Sequence, residues 1–334
     1  MDKVAVLGFG SSGRRLFSIV RERLPQAEFL VFSSQDLSGQ GFPTTTELSD
    51  VTRFEPTIAI VCGVASQRLH MVKALPSRLL GVLVEKPLAM NFDEASQVTK
   101  ELELRGAVTQ VGFNLRFSPS LREFRRRVLG LRLGRVISVR AETGQYLPGW
   151  RVGRDYRTTA SATEKLGGGV LRELSHEIDY LSWIFGDVEW VSAWTGQQSE
   201  LEIDVEDSAH LTLGFRSEPS LVGQLNIDFV RHDATRLITA VCAEGTIRWD
   251  GIAGCVKEWR QGGHQWEVSF SEQQNEPTTY EAQWDSFYAA LESGAIPDVT
   301  ADDGLAAMSV IEGARASHDS GGLRIAPERG GQDQ

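Results

Sequence analysis

"VLGFGSSGRR", residues 6–15, decides how the first third of this chain folds. Gly8, Gly10 and Gly13 stand in the spacing Gly-x-Gly-x-x-Gly. Taken alone, three glycines in six residues read equally well as an ordinary turn. Here they end the apolar run "KVAVLGF" and open a stretch in which Leu16, Val20 and Leu24 recur at the period of one helix face. In a strand–turn–helix context each glycine has a task. Gly8 permits the tight turn, Gly10 lets the backbone approach a pyrophosphate, and Gly13 lets helix and strand pack closely. The loop Gly8, Phe9, Gly10, Ser11, Ser12, Gly13 would then offer a dinucleotide's phosphates the free N–H groups of a helix N-terminus.

Outward from this loop, strand and helix signals alternate. "EFLVF" and "TIAIVCGV" read as buried strands, and Gly63 at the end of the second joins the expected cofactor loop. A helix is expected over 66–75. Leu79, Leu80, Val82, Leu83 and Val84 form a further apolar run that stops at Glu85, Lys86 and Pro87. The proline restricts Lys86 to extended backbone, so a lysine is fixed at the carboxyl end of a buried strand. In open parallel sheets ligands bind at that end. Asn91, with Glu94 three residues on, resembles a capping box opening the helix "FDEASQVTKELELRG", and "AVTQVGFN" closes the series. The expectation over 1–117 is a doubly wound parallel sheet.

From Ser118 onward the pattern changes. After the helix "SLREFRRRVL" come eight strand-like runs, "RVISVRAETGQY" to "WEVSF", with one helix among them and two after them. Consecutive strands predict a large, mostly antiparallel open sheet over 118–334. Length supports two domains, since 334 residues exceed one ordinary core. Net charge of −11 argues against nucleic acid or an anionic membrane as partner. No apolar run has membrane-spanning length, and the N-terminus shows no secretory pattern. Three scattered cysteines suggest a reducing compartment and no metal framework. A cytoplasmic location is expected.

Three further stretches bear on chemistry. The second strand ends in "VFSSQD", where an acid for the ribose 2′-OH of NAD is expected but Ser33 and Ser34 stand. Serine hydroxyls donate to a 2′-phosphate without repelling it, and Arg14 and Arg15 are near in sequence; alternatively Asp36 serves an NAD ribose. The balance is toward NADP. In "LGGGVLRELSHEIDYLSWIFG" Leu171, Leu174, Ile178, Leu181 and Phe185 share one side of a helix, with Glu173, His176 and Tyr180 opposite. That polar side reads either as a solvated face or, given three glycines ahead of it, as one that something approaches closely. Finally, "GQYLPGWRVGRDYR", residues 144–157, gathers Arg151, Arg154 and Arg157 with Tyr146, Trp150 and Tyr156. Aromatics stack on sugar faces and arginines clamp carboxylate or phosphate; the alternative is an ordinary surface loop.

Together "GFGSSG", "VEKPLAMNFDEA", "QVGFNLRFSP", "GGGVLRELSHEIDYL" and "DDGLAAMSVIEGARAS" resemble the Gfo/Idh/MocA oxidoreductases, named for glucose–fructose oxidoreductase, inositol dehydrogenase and a rhizopine-catabolism protein. The resemblance covers nearly the whole chain. It implies a Rossmann domain, then an α/β domain whose open sheet makes a homodimer or homotetramer. It also implies catalysis by Lys86, beside the nicotinamide and often before a cis proline bond, and by His176, with Asp179 in its usual place. Glu85 either pairs with Lys86 or faces the cofactor. The family's aspartate four residues before the histidine is Arg172 here, and Glu173 is the candidate to replace it. Substrates implied are sugars, inositols, sugar acids and nucleotide sugars, with Arg116 a second contact. Two other readings stay open: a glycosidase using transient oxidation, and a dinucleotide-sensing regulator, though regulators tend to lose the lysine.

Overall fold

The computed structural model describes residues 2–35, 37, 39–151, 153–273 and 277–328. It divides into two compact units, residues 1–114 with 277–308 and residues 115–276 with 309–334.

The first unit is built on six parallel strands in the order β3-β2-β1-β4-β5-β6. These are β1 (Lys3–Leu7), β2 (Glu28–Phe32), β3 (Thr44–Thr45), β4 (Ile58–Val61), β5 (Gly81–Val84) and β6 (Val108–Val111). Such an order reverses between β1 and β4, the crevice where doubly wound sheets bind ligands. The two-residue β3 has no sequence signal, because pairing with β2 alone makes it a strand. Helix α1 (Ser11–Arg23) buries Leu16, Phe17 and Val20 against the sheet, as its period requires. Helices α2 (Leu48–Phe54), α3 (Arg68–Lys73) and α4 (Phe92–Arg105) complete the alternation. The expected helix over 66–75 is shorter, with a 3-10 turn at Ala65–Gln67 before α3. Asn91 caps α4 by accepting from the Glu94 N–H at 2.9 Å, while the Glu94 carboxylate accepts from Met90 N–H at 3.3 Å. The reciprocal bond thus falls one residue farther back than a capping box places it.

One correction concerns the boundary at 117/118. The late helix α8 (Thr279–Ser293) belongs to the first unit rather than the second. Trp284 and Phe287, 1% and 0% exposed, sit in one cluster with Val4, Val6, Leu16 and Ile60. Burying two large aromatics there outweighs their distance along the chain.

The second unit has eight strands in the order β14-β13-β12-β11-β7-β10-β9-β8. They are β7 (Val136–Gly144), β8 (Val188–Gly196), β9 (Ser208–Phe215), β10 (Val222–Asp228), β11 (Thr235–Cys242), β12 (Gly245–Asp250), β13 (Cys255–Arg260) and β14 (Glu267–Ser271). All neighbours are antiparallel except β7 and β10, which run parallel with Val222 opposite Ser138. One face is buried: Leu225, Ile227, Ile238, Ala240, Ile247 and Trp249 have at most 1% exposure. Helix α5 (Pro119–Leu129) packs on β12, β13 and β14, burying Leu121 and Phe124. Helix α9 (Ala301–Asp319) contributes residues to both units.

The predicted continuous helix over 170–185 is broken. It forms α6 (Val170–Glu173) and α7 (Ser175–Phe185), with Leu174 at φ −99° and ψ 31° between them. Its polar side is not solvated either. Tyr180 is fully buried against Trp249, and Glu177 and Asp179 are buried as well. The two carboxylates have partners inside the unit, Arg236 for Glu177 and Arg116 for Asp179, which is why the sequence could place them there.

Candidate functional site

The glycine loop of the first unit has the geometry a bound dinucleotide demands. Gly8 lies at φ +95°, and a side chain there would collide with the backbone of Gly63. A side chain at Gly13 would meet the Gly8 carbonyl, so strand and helix touch as the spacing predicts. Gly10 precedes α1 and has open space on its Cα, which leaves the backbone accessible to a ligand. The first turn of α1 holds no acidic side chain to compete with an anion. Ser11 is exposed and Ser12 half-buried, whereas the Phe9 ring turns inward onto Phe17 and Phe42. Only the backbone of Phe9 is available to a cofactor.

At the end of β2 the two serines part. Ser33 is buried, and its hydroxyl accepts from the Gln35 N–H at 3.1 Å, so it holds the turn. Ser34 is exposed. Arg14 lies across the Phe9 ring at 4.6 Å. Asp36, the alternative ribose ligand, is outside the described residues.

Strand β5 delivers Glu85, buried, and Lys86, half-buried, and the Lys86–Pro87 bond is cis. Arg68, 2% exposed, ties the strand end down by donating to the carbonyls of Val61 (3.1 Å) and Glu85. Burial pushes the Glu85 carboxyl above its ordinary pKa, although Arg68 and Lys86 oppose the shift. Its Oε1 is buried without a hydrogen-bond partner among the described residues. The orphaned acceptor and the glycine cradle both fit a nicotinamide dinucleotide, whose ribose hydroxyls can donate to a buried carboxylate.

In the second unit, α6 and α7 present Glu173 and His176, both half-buried. Ser161 donates to Glu173 at 3.1 Å. Arg172, which stands where the family has an aspartate, turns away. It is 3% exposed and binds Glu164 (2.9 Å) and the Gly168 carbonyl (3.0 Å). Glu177 accepts from Arg236 at 2.9 Å, and burial lifts the Tyr180 phenol well above its usual pKa, with the Glu177 charge adding to the effect. Arg116, expected at the substrate, is 4% exposed and forms a two-pronged pair with Asp179 at 2.9 and 2.6 Å. This buried pair anchors α7.

Residues 144–157 form a folded loop, with 3-10 turns at Leu147–Gly149 and Tyr156–Thr158. Their three arginines are not equivalent. Arg157 is held by Asp155 (2.8 Å) and Glu202 (3.0 Å), which raise its pKa further. Arg151 and Arg154 line a recess with Trp150, Tyr156, Thr159 and Ser161, and neither forms an ion pair among the described residues. Tyr146 stacks on His232 at 4.3 Å instead. Among the described residues no group of three or more His, Cys, Asp or Glu could hold a metal ion, and no helix is long and apolar enough to cross a membrane.

Sequence reading missed the neighbourhood of Tyr280 in α8, whose ring lies 4.5 Å from the Arg15 guanidinium. No signal could reveal it, since 264 positions (280 − 16) stand between them in the chain.

Two family descriptions match. "Oxidoreductase family, NAD-binding Rossmann fold" covers residues 3–113, and "GFO/IDH/MocA C-terminal domain" covers 121–248. A 1,5-anhydro-D-fructose reductase of Ensifer adhaerens is 26% identical over 75% of this chain and 74% of its own. Inositol 2-dehydrogenase 2 of Saccharopolyspora erythraea is 28% identical over 74% and 70%. Among solved structures, levoglucosan dehydrogenase with NADH and L-sorbose aligns at TM-score 0.85 and 14% identity, covering 98% of this chain and 99% of its own. The WlbA dehydrogenase of Bordetella pertussis, with NADH and UDP-GlcNAcA, aligns at 0.80 and 19%, with coverage of 98% and 99%.

Proposed function

Because this chain belongs to the GFO/IDH/MocA oxidoreductases and has their NAD-binding Rossmann domain, we propose that it moves a hydride between nicotinamide and a secondary alcohol or ketone of a sugar-type substrate. The observation that carries the reading is Lys86, held at the carboxyl end of buried β5 beside an orphaned buried carboxylate. The bound nicotinamide supplies the hydride chemistry, and the protein supplies position and charge. The Lys86 ammonium polarises the reacting oxygen. His176 takes the hydroxyl proton in oxidation and returns it in reduction, the general acid–base task an imidazole can perform in both directions. Glu173 replaces the family's aspartate as the carboxylate partner of that histidine. Gly8, Gly10, Ser11, Ser12, Gly13 and Gly63 hold the phosphates, and Glu85 the nicotinamide ribose.

Relatives named for inositol, anhydrofructose and levoglucosan, and a structural neighbour in complex with UDP-GlcNAcA, support a polyhydroxylated substrate. We assign its anionic group, as in a sugar acid or nucleotide sugar, to Arg151 and Arg154, whose charges have no ion pair among the described residues, with Trp150 and Tyr156 against the ring. The exposed Ser34, with no carboxylate among the described residues 32–35, favours use of NADP. The test is a panel of sugars, sugar acids and nucleotide sugars, with NAD and NADP, followed by reduced-nicotinamide absorbance. Net NAD(P)H formation with an acidic member supports the reading. Glycoside cleavage without net reduction assigns the transient-oxidation glycosidase instead, and binding without turnover assigns a regulator.

A further inference from the structure

Three glycines, Gly167, Gly168 and Gly169, stand ahead of α6, and two of them are closely approached by the protein itself. A side chain at Gly168 would meet the carbonyls of Ala160 and Ser161. One at Gly169, which lies at φ +104°, would meet the Glu206 carboxylate. The Gly169 N–H donates to the Ser161 carbonyl at 3.1 Å. From the other side, Glu206 accepts from the Val170 N–H through its carbonyl (3.1 Å) and from the Leu171 N–H through its carboxylate (3.2 Å). Arg315 of α9 holds that carboxylate at 3.4 Å. The short helix α6 is therefore clamped from two sides at its start, which fixes the backbone of Glu173 at its end.

Ser161 takes part in more than the clamp. It lies in the 3-10 turn Ala160–Ala162 and is 1% exposed. Its hydroxyl donates to the Glu173 carboxylate at 3.1 Å, and the residue lines the recess that holds Arg151 and Arg154. A serine on a fixed backbone has a single side-chain torsion, so its hydroxyl oxygen is well placed. A glutamate has three and loses considerable rotamer freedom when it is held. A charge-assisted hydrogen bond from a buried hydroxyl supplies that hold.

We propose that Ser161 is a positioning residue of the reaction, its hydroxyl orienting the Glu173 carboxylate for work with His176 while the glycine clamp fixes the backbone beneath. This rests on the role given to Glu173 in the proposed function. It accounts for a working carboxylate at 173 instead of 172, because Glu173 reaches Ser161 whereas Arg172 is bound to Glu164 and the Gly168 carbonyl. It also places the anion recess and the acid–base carboxylate against the same turn of backbone. A substrate seated on Arg151 and Arg154 then meets a carboxylate whose position is already set.

The test uses the full-length protein and the acidic sugar of the panel that gives reduced nicotinamide. Ser161→Ala removes only the hydroxyl. It is expected to lower kcat about tenfold, the effect of one charge-assisted hydrogen bond, with KM and cofactor affinity kept. Glu173→Ala is expected to lower kcat about a hundredfold. The double variant should lose no more than Glu173→Ala alone, because the hydroxyl then has no carboxylate to orient. Glu173→Asp, which leaves the buried turn intact and draws the carboxylate back from Ser161, should also lose about tenfold in kcat. Parent-like kcat in Ser161→Ala, a loss that falls on KM instead, or losses that multiply in the double variant overturn the positioning role. Parent-like kcat in Glu173→Ala overturns the role of Glu173 itself, and no reduced nicotinamide from any panel member overturns the dehydrogenase reading.

Discussion

Lys86 combines two properties a charge-stabilising group needs, a fixed backbone and a half-buried position. Lys86→Ala is expected to lower kcat about a hundredfold or more with cofactor affinity kept; near-parent turnover removes it from the mechanism. His176→Ala should lose a similar factor and flatten the limb of the pH–rate profile that follows imidazole titration. The arginines of 144–157 make a sharper prediction. Arg151→Ala and Arg154→Ala should each raise KM about tenfold or more for an acidic sugar, the loss of a charge-assisted contact, and leave its neutral analogue unchanged. Arg157→Ala should leave the KM of both sugars unchanged, because Asp155 and Glu202 already neutralise that charge at an exposed site. Equal KM losses on both sugars would mean that the arginines only shape the loop. Composition could not rank these three residues. Their ranking depends on Glu202, which is 45 positions away from Arg157.

Helix α7 shows how buried charge is tolerated when every group is paired. Asp179→Ala leaves the Arg116 guanidinium, 4% exposed, without its carboxylate. The expected cost is about 3–5 kcal/mol in urea unfolding. The double replacement Arg116→Met with Asp179→Leu should recover most of that, since a buried pair exchanged for apolar volume is close to neutral. The turn between β8 and β9 has a pH dependence of its own. Burial acts to raise the Asp207 pKa, but hydrogen bonds from the Ser199 hydroxyl and N–H, the Gln198 N–H and the Ser208 hydroxyl outweigh it, so the net shift is downward. A depressed folded pKa means that this stabilisation is complete above the unfolded carboxylate pKa near ~3.9. It is lost as pH falls through the folded value. Asp207→Asn should therefore flatten the acid limb of the stability curve; an unchanged limb would show that the four hydrogen bonds contribute equally to either protonation state.

In the second unit one face of the eight-stranded sheet presents exposed side chains. Along β10 the exposed Val222, Gln224 and Asn226 alternate with buried Gly223, Leu225 and Ile227. Trp194 and Ile137, 40% and 47% exposed, lie on neighbouring parts of the sheet. Such a face is expected to be covered by a second copy of the chain. Light scattering should then report a mass of two or four times 36.8 kDa, and Val241→Glu on the outward side of β11 should lower it. A parent protein at the mass of one chain removes this expectation.

What the sequence determined by itself was local or periodic. Gly8, Gly10 and Gly13 announced the strand–turn–helix because a tight turn and a close approach each require a missing Cβ. Leu83 and Val84 before Lys86 and Pro87 announced the strand end because apolar runs and proline act within a few residues. Alternation without helices announced the second sheet. The tertiary structure alone decided which charges are spent inside the fold and which remain for ligands. Arg116 and Arg157 looked like substrate contacts and are paired, Ser33 faces inward, and the helix at 170–185 breaks at Leu174 beside the inward-turned Arg172. Strand β3 exists only through its neighbour, and Tyr280 and Trp284 reach the first unit only because α8 packs there. The physical reason is common to all of these. Turn geometry and periodicity are set by neighbouring residues, whereas burial and pairing depend on groups that the folded chain brings together from any distance.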